Sequence, residues 1–222
     1  MGPTVCILAN TVGYPEGGGH ACAYLNWALG LREAGCQVLW LESVKPETPP
    51  ELAQANAAAL KSRLAHYGLD RSLVLWSGDD TGEQPVVGYP GVDGYPGLEV
   101  AEGADLFLNF RYALHDSMLR RFRRTALVDI DPGLLQVWVS RGELRVQHHD
   151  VHLTIGETVG QPGSLIPDVG LTWHHTPPPV SLAAWPVAPS SSDAPFNTVS
   201  HWYAREWMMG ADGAWYSNDK RS

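Results

Sequence analysis

Residues 4–35 constrain the fold more than any other stretch. Thr4 is followed by Val5, Cys6, Ile7, Leu8 and Ala9, an apolar run without polar alternation. Such a run predicts a strand buried on both faces. Residues 10–16 are turn-forming, and Gly17, Gly18, Gly19 and His20 follow them. From Ala21 the period changes. Ala21, Tyr24, Leu25, Ala28 and Leu31 fall on one helical face, and Gly35 is placed to end that helix. Strand, glycine turn and helix form the opening unit of a Rossmann-like fold. Its glycines let backbone approach a ligand, and its helix N-terminus favours an anion or a polar oxygen.

The same rhythm continues. Residues 37–42 read as a second buried strand ending in Glu42. Residues 51–67 read as a helix with Leu52, Ala55, Ala59, Leu60 and Leu64 on its apolar face and Gly68 at its end. Residues 72–76 read as a third strand. A β-α-β-α-β order predicts an α/β fold, a Rossmann-like parallel sheet flanked by helices. Residues 77–97 interrupt it with two copies of Gly-Tyr-Pro-Gly, whose Tyr89 and Tyr95 suit either stacking on a sugar or plain turn packing. Strands are then expected at 104–109, 125–129, 151–155 and 171–175. Helices are expected at 113–122 and from Pro132, as first helical residue, to about Arg141. The segment PVAPSSSDAP at 186–195 has linker composition. The expected organisation is a Rossmann-like domain at 1–185, a linker at 186–195, and the start of a truncated second domain at 196–222.

Composition narrows the function. With 24 acidic against 15 basic residues the net charge is −9, which argues against a nucleic-acid or anionic-membrane surface. Arg120, Arg121, Arg123 and Arg124 form one short basic cluster at a predicted helix end, where they complement the helix dipole. Three cysteines without Cys-x-x-Cys spacing read as buried thiols in a reducing compartment, and no structural zinc is expected. No run of about 18 apolar residues and no signal-peptide pattern is seen, so a cytoplasmic location without a membrane span is expected.

In open α/β sheets ligands bind beyond the carboxyl ends of the strands. That rule collects Gly17, Gly18, Gly19 and His20, then Glu42, Asn109, Arg111, Asp129, Asp131 and Glu157. His20 stands at a helix N-terminus, which keeps an imidazole neutral and suits a general base. Such a base needs an orienting acid, and Asp129 or Asp131 is the expected partner. The plainer alternative is a helix-capping His20 with aspartates that only shape turns. His148, His149, Asp150 and His152 resemble a metal-ligand cluster, but strand alternation separates them, so a surface histidine cluster is expected. His174 and His175 are read the same way. A dinucleotide site is the natural rival, since Glu42 lies at the distance of a ribose-binding acid. However, the third fingerprint glycine is missing and residues 10–16 are too many for the tight turn.

The segments ILANTVGYPEGGGH, DIDPG, HLTIGETVG, TPPPV and YSNDKR together resemble bacterial glycosyltransferase-like proteins of the GT-B class. The resemblance covers nearly the whole chain and the first half of such a protein. It implies two Rossmann-like domains facing a cleft, the N-terminal one holding the acceptor and the other the nucleotide-sugar. It also implies a histidine base in the first loop, matched by His20, paired with an aspartate from a later strand end, matched by Asp129. On this reading Gly17, Gly18 and Gly19 stabilise negative charge, and Asn109, Arg111 and Glu157 contact substrate. The nucleotide-sugar is a co-substrate, and no other cofactor, metal or nucleic acid is expected. The donor-binding segment is expected beyond Ser222, so the 222 residues alone are expected to show little transfer. The second hypothesis is a non-catalytic Rossmann-like module that binds a small molecule or a protein.

Overall fold

The computed structural model describes residues 2–78 and 94–195, and the backbone of 207–209 and 215–217. Seven strands form one parallel sheet: β1 (Thr4–Leu8), β2 (Gln37–Val44), β3 (Leu73–Ser77), β4 (Leu106–Asn109), β5 (Thr125–Asp129), β6 (Val151–Thr154) and β7 (Trp173–His175). Their spatial order is β3-β2-β1-β4-β5-β6-β7. Register places Val5 beside Val38 on one side and Leu106 on the other, with every neighbouring pair parallel. This is the α/β Rossmann-like sheet that the alternation of strands and helices predicts. The order reverses between β1 and β4, which opens a crevice at their carboxyl ends.

The period of two along β1 divides the core. Val5, Ile7 and Ala9 face the helices α1 (Gly18–Glu33) and α2 (Pro50–Ala65). Cys6 and Leu8 face the other layer, with Leu98 and Ala101 of α3 (Leu98–Glu102) and Met118 and Leu119 of α4 (Asp116–Leu119). Both faces of the central strands are covered, which is why β1 runs Val-Cys-Ile-Leu without polar alternation, while the outer strands β6 and β7 are more polar and partly exposed. Gly35 and Gly68 take φ of +87° and +67° beyond the ends of α1 and α2, a region that favours glycine.

Several local expectations are corrected. The apolar face of α2 is Ala53, Ala57, Leu60 and Leu64, while Leu52, Ala55 and Ala59 are exposed. α4 spans four residues instead of ten, and its first turn is capped by His115, whose Nδ1 accepts from Ser117 N–H at 3.2 Å. α5 (Leu134–Ser140) starts after Gly133, so Pro132 precedes the helix. Gly133 has a φ of +102°, and its N–H donates to Gln136 Oε1 at 2.6 Å. Tyr95 packs partly buried against the α1–α2 core with Lys61 Nζ 5.3 Å from its ring centre, the contact that the turn-packing alternative expects. Tyr89 lies outside the described residues.

The chain divides into two compact units, Met1–Trp185 and Pro186–Ser222. In the second, β8 (Trp207–Met209) and β9 (Trp215–Ser217) pair antiparallel. The first unit closes with a strap at 176–185 that returns across α1. Ser181 N–H donates to Asn26 Oδ1 at 3.0 Å, Ser181 Oγ donates to Glu33 at 2.5 Å, and Trp185 stacks on Tyr67 with ring centres 6.2 Å apart.

Candidate functional site

The loop that follows β1 is built around Glu42. This carboxylate is 1% exposed and accepts from Thr11 N–H at 2.9 Å, Val12 N–H at 3.2 Å and Trp40 Nε1–H at 2.8 Å, and from the Thr11 hydroxyl. Burial pushes its pKa up, although all four donors pull toward the charged form. The long loop at 10–16 therefore replaces the tight glycine turn of a dinucleotide site. The acid that would bind a ribose is enclosed within the loop it anchors.

The glycines have different parts. A Cβ on buried Gly17 would sit 2.5 Å from the Tyr14 ring and 3.1 Å from the Tyr14 carbonyl oxygen. Close packing therefore demands glycine there, and Gly17 N–H already donates to Tyr14 O at 2.9 Å. Gly18 and Gly19 open α1, and a Cβ on either would meet nothing within 4 Å. As first residues of the helix, their amides lack intrahelical acceptors.

His20 is exposed on the first turn of α1. Its Nε2 lies 2.8 Å from the Asn10 carbonyl oxygen, and its ring meets Tyr24 edge-on at 5.0 Å. Because a carbonyl only accepts, Nε2 carries the proton and donates. The neutral ring then presents Nδ1 as its basic nitrogen.

Neither expected aspartate orients His20. Asp129 is fully buried at the end of β5. Its Oδ1 accepts from Tyr112 O–H at 3.2 Å and Asp131 N–H at 3.1 Å, and its Oδ2 from Gln136 Nε2 at 2.8 Å and Thr154 Oγ1 at 3.0 Å. Burial, with the charge of Asp129 adding to it, pushes the Tyr112 pKa up and keeps the phenol protonated. Asp131 is exposed on the following turn. The backbone carbonyl of Asn10 takes the orienting place that sequence reasoning assigned to an acid.

Asn109 is also buried, within a chain of fixed polarity. His149 Nδ1–H donates to Gln147 O at 2.8 Å, and its Nε2 accepts from Asn109 Nδ2 at 3.1 Å. Asn109 Oδ1 then accepts Arg111 N–H at 2.8 Å. His149 is 3% exposed, so the expected surface histidine cluster is corrected at this member. Burial drops its pKa to about 4, with neighbouring His152 and His148 adding to the shift. His152 is half-buried, packs edge-on against Trp173 at 5.6 Å and leaves Nε2 without a hydrogen-bond partner. Among the described residues no three His, Cys, Asp or Glu side chains are grouped to hold a metal. Glu157 is exposed on the turn after β6 and does not line the pocket described next.

A pocket of about 110 Å³ opens at the switch point, lined by Asn10, Ser43, Lys45, Thr48, Asn56 and Arg111 among others. The Arg111 guanidinium donates to Ser43 Oγ. Sequence reasoning found Arg111 and missed the rest. Ser43 and Lys45 stood within reach of the strand-end rule that selected Glu42. Asn56 had no signal, since it is a lone polar residue on the inward side of α2, three residues after Ala53. Asn10 is shared by the pocket and the His20 hydrogen bond.

Comparison with protein-family models, curated proteins and solved structures finds no match to this chain. Among the described residues no helix is long and apolar enough to cross a membrane.

Proposed function

We propose that the chain is the acceptor-side domain of a GT-B glycosyltransferase, which moves a sugar from a nucleotide-sugar to an acceptor hydroxyl. The observation that carries this reading is His20. It is exposed at the switch point, fixed through Nε2–H to the Asn10 carbonyl, with Nδ1 as the basic nitrogen.

In the proposed step the acceptor O–H proton passes to His20 Nδ1. The oxygen attacks the anomeric carbon, and the bond to the nucleoside diphosphate breaks, that group leaving with the electron pair. The Asn10 carbonyl holds the imidazolium that results, in place of an aspartate. The amides of Gly18 and Gly19 supply donors for negative charge nearby. Asp129 serves by shaping the β5–α5 turn, and Asn109 by placing Arg111. A pocket of about 110 Å³ falls below the ~300–1,000 Å³ of sites that enclose a drug-sized ligand. It is sized for one small group of a ligand. A cytoplasmic setting fits Cys6, Cys22 and Cys36, which are all free thiols.

The test is transfer and donor hydrolysis by the complete gene product against UDP-, GDP- and dTDP-sugars, beside His20→Ala. A fall of ~10²-fold or more in the variant is expected for loss of a general base. Turnover unchanged in His20→Ala would remove the base. No turnover or binding of any donor would favour the non-catalytic module.

A further inference from the structure

The switch-point pocket has a charge that the chain as a whole does not. Net charge is −9, yet the residues lining this pocket include Arg111 and Lys45 and no carboxylate. Of the two acids that directly flank lining residues in sequence, Glu42 directs its oxygens to Thr11, Val12 and Trp40, and Glu47 is exposed and not part of the lining. Asn10, Ser43, Thr48 and Asn56 add neutral polar groups to the same lining. Arg111 is positioned before any ligand arrives. Its backbone N–H is held by Asn109 Oδ1, Asn109 by buried His149, and its guanidinium by Ser43 Oγ. A cation with both backbone and side chain fixed loses little freedom on binding. A guanidinium also matches the paired oxygens of a carboxylate or phosphate.

Size limits the occupant. The volume of about 110 Å³ admits one small group, not a nucleotide. Position limits it further. Asn10 lines the pocket and its carbonyl holds His20, so a group seated here lies next to the proposed base.

We propose that this pocket is an oxyanion subsite that binds one carboxylate or phosphate group of the acceptor, anchoring it so that a hydroxyl on the same molecule reaches His20. The assignment to an acceptor rests on the transferase reading; the anion site itself is tested by binding alone.

The experiment is amide NMR of the isotope-labelled chain at constant ionic strength, titrated separately with inorganic phosphate, acetate and UDP. Saturable shifts at Val12, Gly13, Ser43 and Val44 with phosphate or acetate are expected. Whichever of the two binds tighter names the group. Arg111→Gln is expected to weaken binding ~10-fold, as for loss of a charge-assisted pair. Lys45→Gln, at an exposed position that leaves the fold intact, is expected to weaken it ~3-fold. No saturable shift with either small anion, or equal affinity in both variants, overturns the subsite. Shifts with UDP alone would assign the pocket to the donor and overturn its assignment to the acceptor. A failed transfer assay with intact anion binding would sink the transferase reading and leave the anion site standing.

Discussion

The carboxyl edge of the sheet has two halves built from similar residues and put to different use. On one side of the switch point, the loops after β1 and β2 leave His20 exposed and a cationic pocket open. On the other, the ends of β4, β5 and β6 supply Asn109, Asp129 and Thr154, all buried and bonded to one another's loops. Glu42 belongs by position to the open half and by behaviour to the closed one. The difference teaches that a polar residue at a strand end is a ligand candidate only if the loop beyond it does not consume its hydrogen-bonding capacity. A loop of buried backbone must find acceptors for its N–H groups, and a carboxylate at the strand end is the nearest strong one.

The sharpest way to break this comparison is to remove the enclosed acids. Asp129→Ala leaves Tyr112, Gln136, Thr154 and the Asp131 amide without their acceptor. Glu42→Ala does the same to Thr11, Val12 and Trp40. Each is expected to lower unfolding free energy by about 3–5 kcal/mol, the range for breaking a buried polar network on one side. His20→Ala, exposed and held by one bond, is expected to change it by less than about 0.5 kcal/mol. Urea unfolding of the three variants decides. If Asp129→Ala were as mild as His20→Ala, the closed half would be no more structural than the open one.

His149 tests the closed half by pH. Its folded pKa is depressed from 6.5 to about 4, so the unfolded chain binds its proton more readily. The stability it contributes is complete above pH 6.5 and is lost as pH falls through about 4. The expected loss over that window is up to about 3 kcal/mol. Protonation also places an N–H against the Asn109 amide, which breaks the chain that positions Arg111. Stability measured from pH 7 to pH 4 is expected to fall more steeply in the native chain than in His149→Gln. Equal slopes would show that the ring titrates freely.

Much of the fold was legible because burial on both faces leaves its mark in the sequence. Val5, Cys6, Ile7 and Leu8 need no alternation when helices cover both sides. The face of α2 was misread for a related reason. Ala53, Ala55, Ala57, Ala58 and Ala59 make its middle nearly uniform, and alanine fits either side, so the 3.6-residue period is weak there. The site was legible in location and not in partnership. The strand-end rule gathered His20, Asn109, Arg111 and Asp129 correctly at one edge of the sheet. It had no means of seeing that Gln136, seven residues on, and Thr154, on the next strand, would enclose Asp129. A backbone carbonyl such as that of Asn10 carries no sequence signature, so the group that orients His20 was invisible. His149 was expected at the surface and is buried, because it precedes β6 instead of lying in it, where the strand alternation used to sort the histidines does not hold.

The smallest expected effects lie inside the glycine turn, where the two halves of the comparison meet within three residues. Gly17→Ala places a Cβ 2.5 Å from the Tyr14 ring and is expected to cost about 1–3 kcal/mol through overpacking. Gly19→Ala, in helical backbone with open space around it, is expected to stabilise the chain by about 0.5–1 kcal/mol through lost freedom of the unfolded state. Thermal melts of the pair would show opposite signs. Transfer assays on the same proteins then separate stability from function. If substrate approaches the Gly18 and Gly19 amides, a methyl group at residue 19 obstructs it, and Gly19→Ala becomes more stable and less active at once. An enzyme both stabilised and fully active would confine the chemistry to His20 and the Arg111 pocket, and the glycines at 18 and 19 would carry no catalytic part.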